Sequence, residues 1–294
     1  MPQLLLEMVP PTRNEGVAGL EQKLAYIQEV ASASPLEAVN IPEIHPESSH
    51  DKGAVRQNRF EDRMEPRQFA RHIRETCGLE CIVNHVVVHT PELQFKDWLR
   101  QTREEFGIGQ VVFVGGEHHD VSYPGPDVCK ANQIARELLP ELRIGNICIP
   151  SRKDEARRVK QKCHSDVDFF TTQIIYEFEG LWAFFENLQS AGSISQTFYI
   201  SFCPLSSERN LEFLRWLGVV FSPQLSERLQ ADTGKMQQRS CEQILAIWQQ
   251  LKGHLEQSEL DLCINLCPIG KVSSALCRQL AFQLLKEYEA SDSV

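Results

Sequence analysis

A carboxylate stands where the surrounding residues are almost all apolar. Glu7 falls within Leu4-Leu5-Leu6-Glu7-Met8-Val9, and the pattern predicts a strand over Gln3–Val9. Such a group is either a paired structural carboxylate or a desolvated acid whose raised pKa suits it to proton donation. His85 lies in a second strand-like run, Glu80–Val88, next to Asn84 and ahead of His89. A lone strand histidine is more often a packing residue than a catalytic one. Further on, Val114 is followed by Gly115-Gly116-Glu117-His118-His119-Asp120. The glycine pair lets backbone approach a ligand closely, and the next four residues are all of metal-ligating type. Neighbours in sequence point in different directions, so a solvated loop explains that cluster better than a metal site. Ser151-Arg152-Lys153 opens a helical stretch, with Ser151 suited to an N-cap and the cations to a phosphate. Gln173 ends the strand-like Phe169-Phe170-Thr171-Thr172-Gln173, and its amide can read the edge of a heterocycle as donor and acceptor. No Ser-His-Asp order, phosphate loop or HExxH pattern occurs, so hydrolase and kinase chemistry lack their usual supports.

These residues fall at the ends of strands that alternate with helices. Strand candidates at Gln3–Val9, Leu36–Ile41, Glu80–Val88 and Gln110–Val114 precede helical stretches at Gly19–Ala31, Pro66–Thr76, Pro91–Phe106 and Asp127–Leu139. The pattern continues with strands at Arg143–Ile149, Phe169–Ile175, Gln196–Phe202 and Leu260–Leu266. Their helices are expected at Lys153–Cys163, Leu181–Gln189, Ser207–Leu217 with further helix through Gly253, and Val272–Tyr288. Eight strand–helix units predict an α/β fold of the (β/α)8 TIM-barrel type, a single domain over residues 1–288 with a flexible tail at 289–294. A doubly wound sheet is the rival, but the first strand runs into Val9-Pro10-Pro11-Thr12 and lacks a glycine-rich phosphate turn. In a barrel the strand C-termini carry the chemistry, so the polar loop Pro42–Arg63 is expected over the catalytic face.

Composition narrows the partners. Forty acidic against thirty basic residues give a net charge of −10, which argues against general binding to a phosphate backbone. No run approaches the ~20 apolar residues of a membrane span. The opening segment lacks a basic n-region, so a cytoplasmic location with ten reduced cysteines is expected.

Several short motifs coincide in order along the chain. They are Leu6-Glu7-Met8-Val9-Pro10-Pro11, His85 with Thr90-Pro91-Glu92-Leu93, Lys162 eleven residues before Gln173, and Phe202-Cys203-Pro204. Together they resemble the methylenetetrahydrofolate reductase family. That resemblance implies a flavin-dependent oxidoreductase of one-carbon metabolism and methionine biosynthesis, reducing 5,10-methylenetetrahydrofolate to 5-methyltetrahydrofolate. It implies FAD as cofactor, NADH or NADPH as electron donor, and a homo-oligomer. Glu7 takes the place of the general acid. His85, Gly116, Glu117 and Lys162 take the flavin positions, with Arg152 beside a phosphate, while Glu117 and Gln173 face the folate. The chain departs from the family pattern at Asn40-Ile41 after the second strand, at Gly115-Gly116-Glu117 in place of Arg-Gly-Asp, and at Ser151-Arg152-Lys153. Two alternatives stay open. One is a folate-binding barrel without reductase chemistry that acts as a partner subunit. The other is a metal-dependent lyase or hydrolase built on His118, His119, Glu117 and Asp120; the flavin readings expect no metal.

Overall fold

A computed structural model of the chain describes residues 3–32, 34–46, 60–116, 122–255 and 258–289. Eight parallel strands close into a barrel in chain order, and the last pairs with the first. They are β1 (Leu4–Glu7), β2 (Ala38–Ile41), β3 (Cys81–Val86), β4 (Gln110–Val114), β5 (Arg143–Cys148), β6 (Phe169–Thr172), β7 (Thr197–Phe202) and β8 (Asp261–Leu266). The first six are followed by α1 (Gly16–Ala31), α2 (Pro66–Cys77), α3 (Glu92–Glu104), α4 (Val128–Leu138), α5 (Glu155–Cys163) and α6 (Phe178–Ser190). Three helices, α7 (Glu208–Trp216), α8 (Pro223–Gln230) and α9 (Met236–Leu255), separate β7 from β8, and α10 (Ser274–Glu289) follows the barrel. The expected single-domain (β/α)8 barrel is therefore the fold.

Local chemistry sets many boundaries. Pro66 opens α2 where no intrahelical N–H is needed, Glu65 accepts from Gln68 N, and Gly78 ends the helix at φ 67°. Asp127, Ser207 and Ser222 cap α4, α7 and α8 through their side-chain oxygens. The expected cap at Ser151 is a correction. Helix α5 begins at Glu155, after Asp154 in the left-handed region, because the Glu155 carboxylate accepts from Ile149 N at 3.0 Å and holds a tight turn between β5 and the helix. Strand β3 also stops earlier than expected, since Val87–His89 forms a 3-10 turn.

Alternation along each strand sends one set of side chains to the helices and the other into the barrel. The middle of the barrel is apolar, built from Leu5, Ala38, Ile82, Val112, Phe169, Tyr199 and Cys263. Gly145 is required here: a Cβ on it would lie 2.4 Å from the Phe169 ring. At the strand N-termini, Arg143 donates to Glu37 Oε1 (2.8 Å), Gln110 Oε1 (2.8 Å) and Tyr199 Oη (3.1 Å), closing that end. A separate apolar cluster of Tyr176, Cys203, Leu205, Leu211, Leu214 and Leu229 backs the wall beyond β7. The tail residues 290–294 lie outside the described residues.

Candidate functional site

The strand C-termini open into a cavity of about 1360 Å³. Its inner end is polar on β1, β3, β6 and β7, through Glu7, Asn84, Thr171 and Ser201, and apolar on β4 and β5, through Val114 and Ile147. Phe213 and Trp216 of α7 form one side wall, their rings stacked 5.6 Å apart. Lys23, Arg63, Arg209 and Lys271 bring positive charge to the rim.

Glu7 is the last residue of β1 and is held from both sides. Asn40 Nδ2 of β2 donates to Glu7 Oε2 at 3.2 Å, and Asn265 Nδ2 of β8 donates to the same oxygen at 3.0 Å. Burial raises the Glu7 pKa above the ordinary glutamate range, against the smaller opposing pull of hydrogen bonds from Asn265, Cys267 and Asn40. Toward the strand C-termini, Asn40 Oδ1, Asn84 Oδ1, Asn265 Oδ1 and Thr171 Oγ1 are buried with no hydrogen-bond partner. A buried polar atom left in that state costs about 1–3 kcal/mol, and of the four residues Asn84 and Thr171 line the cavity, where a polar ligand can answer them.

A second cluster stands at the rim over β2 and β3. Glu43 Oε2 accepts from Val86 N and from His85 Nδ1 (3.0 Å), and His45 Nε2 lies 3.5 Å away. Burial alone would raise the Glu43 pKa, but hydrogen bonds from His45 and His85, the His85 charge and the Val86 N–H outweigh it and hold the carboxylate well below its usual range.

The residues singled out from sequence do not all converge. Glu7 and Gln173 share the cavity. Gln173 Nε2 donates to Leu217 O (3.1 Å) and its Oε1 accepts from Ile174 N (2.9 Å), so both ends of the amide are engaged with backbone. His85 faces the helix layer, its ring stacked 4.2 Å from Trp98 and its Nε2 3.1 Å from Thr90 Oγ1. Lys162 Nζ donates to Ile147 O at 2.7 Å, and burial lowers its pKa despite Glu155 nearby. Arg152 lies 3.8 Å from Glu155, and Gly116 is covered by the Tyr123 ring, 2.5 Å from where a Cβ would stand. Of the described residues assigned to flavin, His85, Gly116, Arg152 and Lys162 do not line the cavity. Glu117, His118, His119 and Asp120 lie outside the described residues; among the described residues no three His, Cys, Asp or Glu side chains converge as a metal site.

No motif in the sequence marks Asn40, Asn265 or Glu43 as a site residue. The first two could have been found from strand alternation, since they flank Glu7 on the neighbouring strands. Glu43 carried no such signal, because its partner His85 is 42 residues away.

No family model matches this sequence, and no curated protein matches it. Among solved structures it is similar to an uncharacterised protein from Clostridium thermocellum that binds two copies of 5-methyl-5,6,7,8-tetrahydrofolic acid. The TM-score is 0.76 with 18% identity, over 98% of this chain and 96% of that one. Two structures of a Toxoplasma gondii ME49 protein assigned by inference as a deoxyribose-phosphate aldolase give TM-scores of 0.49 and 0.48 at 10% identity. They cover all of this chain and 95% and 94% of theirs. At these identities the likeness is one of fold. The chain is a (β/α)8 barrel, and among its described residues no helix is long and apolar enough to cross a membrane.

Proposed function

We propose that this barrel binds a reduced folate at its C-terminal mouth, with the pterin at the inner end beside Glu7 and the glutamyl carboxylates toward the rim cations. One observation carries the reading: the side-chain oxygens of Asn84 and Thr171, which line the cavity with Glu7, and of Asn40 and Asn265, which hold Glu7, are all buried and unpartnered. A tetrahydropterin supplies N–H donors along one edge, at its 2-amino group, N3 and N8, and so answers acceptors of that kind. The stacked Phe213 and Trp216 offer an apolar face for the aminobenzoyl ring. The cavity exceeds the ~300–1,000 Å³ common for small-ligand sites, which suits a long ligand or a ligand with a companion molecule. Folate binding by the Clostridium thermocellum barrel agrees in kind.

The buried state of Glu7 favours a narrower, enzymatic reading of the same site. A glutamic acid whose burial favours the protonated form can give its proton to a folate amine nitrogen as a carbon–nitrogen bond opens. The family resemblance names that reaction as reduction of 5,10-methylenetetrahydrofolate with FAD, and this chain supports the acid of that scheme but not its flavin contacts. Calorimetric titration with 5-methyltetrahydrofolate and 5,10-methylenetetrahydrofolate separates the readings. Saturable heat with either supports binding, and turnover of the methylene form that Glu7→Gln abolishes supports the enzyme. Absence of heat and of any melting shift with both compounds would sink the proposal.

A further inference from the structure

We infer that Asn40 and Asn265 are positioning residues for Glu7: from the strands on either side of β1 they occupy Oε2 and leave Oε1 as the oxygen a ligand meets. This rests on the reading that Glu7 faces the ligand. An sp² oxygen has two in-plane lone pairs, and two N–H groups at 3.2 and 3.0 Å use both. When the acid is protonated, Oε2 is then its carbonyl oxygen and the proton sits on Oε1. The clamp is itself fixed. Asn265 Nδ2 also meets Ser201 Oγ at 3.0 Å and Cys267 Sγ at 3.3 Å, sharing its second hydrogen between them.

The cost of the arrangement shows that packing does not explain it. Both asparagines are fully buried, and each keeps its own Oδ1 without a partner. Aliphatic side chains would fill the same positions without orphaned oxygens, as Leu5 and Ile82 do one layer below. The thiols of Cys203 and Cys267 are close enough to act on Glu7; burial pushes Cys203 up to about 12 and Cys267 well above its ordinary value, so both stay neutral. Neither brings a charge to the carboxyl, and Cys267 meets it as a neutral thiol, a weaker hydrogen-bond donor than the two amides.

The test is infrared difference spectroscopy of the free protein at neutral pH, so it needs no folate. Subtracting the spectrum of Glu7→Gln isolates the carbonyl stretch of Glu7. Hydrogen bonds to a carbonyl oxygen lower its stretching frequency. Asn40→Leu and Asn265→Leu should therefore each move the band upward, the double variant further, and Asn40→Thr, which keeps a donor, should return it toward the parent position. An ionised carboxylate signature in the parent protein overturns the inference. So does a band that stays in place in either asparagine variant that still melts cooperatively. Should Asn265→Leu fail to fold, the Asn40→Leu and Asn40→Thr pair decides. A moved band in a protein that shows no folate heat would retain the clamp and remove only the functional reading.

Discussion

The two ends of the barrel are both lined with polar side chains, yet they are wired oppositely. At the strand N-termini, Arg143 is matched by Glu37, Gln110 and Tyr199, and its guanidinium also lies 4.8 Å from the Phe169 ring centre. Tyr199 Oη in turn reaches Glu37 Oε2 (2.7 Å) and Gln3 Oε1 (2.8 Å). None of these five residues has a buried side-chain nitrogen or oxygen without a partner. At the strand C-termini, the donors of Asn40 and Asn265 converge on one carboxyl while their oxygens, with those of Asn84 and Thr171, have no partner. A closed network is complete without a ligand and stabilises the fold. An open one lowers stability in the free protein and recovers that energy when a complementary ligand arrives.

Substitutions at the two ends should separate stability from binding. The largest effect belongs to the middle layer next to the closed end. Phe169→Ala should cost about 3–5 kcal/mol in urea unfolding, because the buried ring leaves a cavity. Gly145→Ala should cost about 1–3 kcal/mol by forcing a Cβ against that ring. Folate affinity measured on the folded fraction should be unchanged in both, and a selective loss of affinity would erase the contrast between the ends. Next comes Arg143→Met, which strands Glu37 and the Tyr199 hydroxyl and should cost about 1–3 kcal/mol. At the open end, Asn84→Leu should leave the melting temperature level or slightly raised while weakening folate binding at least about tenfold, or ~1.4 kcal/mol. A drop in melting temperature without a change in affinity would make Asn84 structural.

The smallest and most discriminating effect is on the pH dependence of stability. Glu7 has a raised folded pKa, so between the ordinary glutamate range and that raised value the folded state holds a proton the unfolded state has lost. Stability therefore falls as pH rises through that window, and Glu7→Gln should remove the fall. Glu43 runs the other way. Its folded pKa is depressed, so its contribution is present above the ordinary range and is lost as pH drops toward the folded value. Glu43→Gln should flatten the acid side of the profile and leave the neutral side unchanged in slope. Unfolding curves across pH for the three proteins check both signs.

Much of the frame was legible in the residues themselves. Strand β4 has the expected bounds, and helix α2 starts at the expected Pro66, since a proline N1, a glycine stop and a β-branched run act locally. The barrel followed from counting such units, and a carboxylate in an apolar run at a strand end made Glu7 a candidate for the mouth. The turn at Ser151 was misread because the deciding contact, Glu155 to Ile149 N, depends on how the chain folds back after β5.

What the sequence determined by itself is therefore the repeat of strand and helix and the presence of an acid at the end of the first strand. Those are consequences of periodicity, which needs no partner beyond a few residues away. The tertiary structure decided which chemistry the acid keeps. Asn40 and Asn265 lie 33 and 258 residues from Glu7, and barrel closure brings them to one of its oxygens. It also decided that His85, a plausible ligand contact by motif, lies against Trp98 and Glu43 under the helix layer. Adjacent strand residues face opposite sides, so one position of register gives Asn84 to the cavity and His85 to the core.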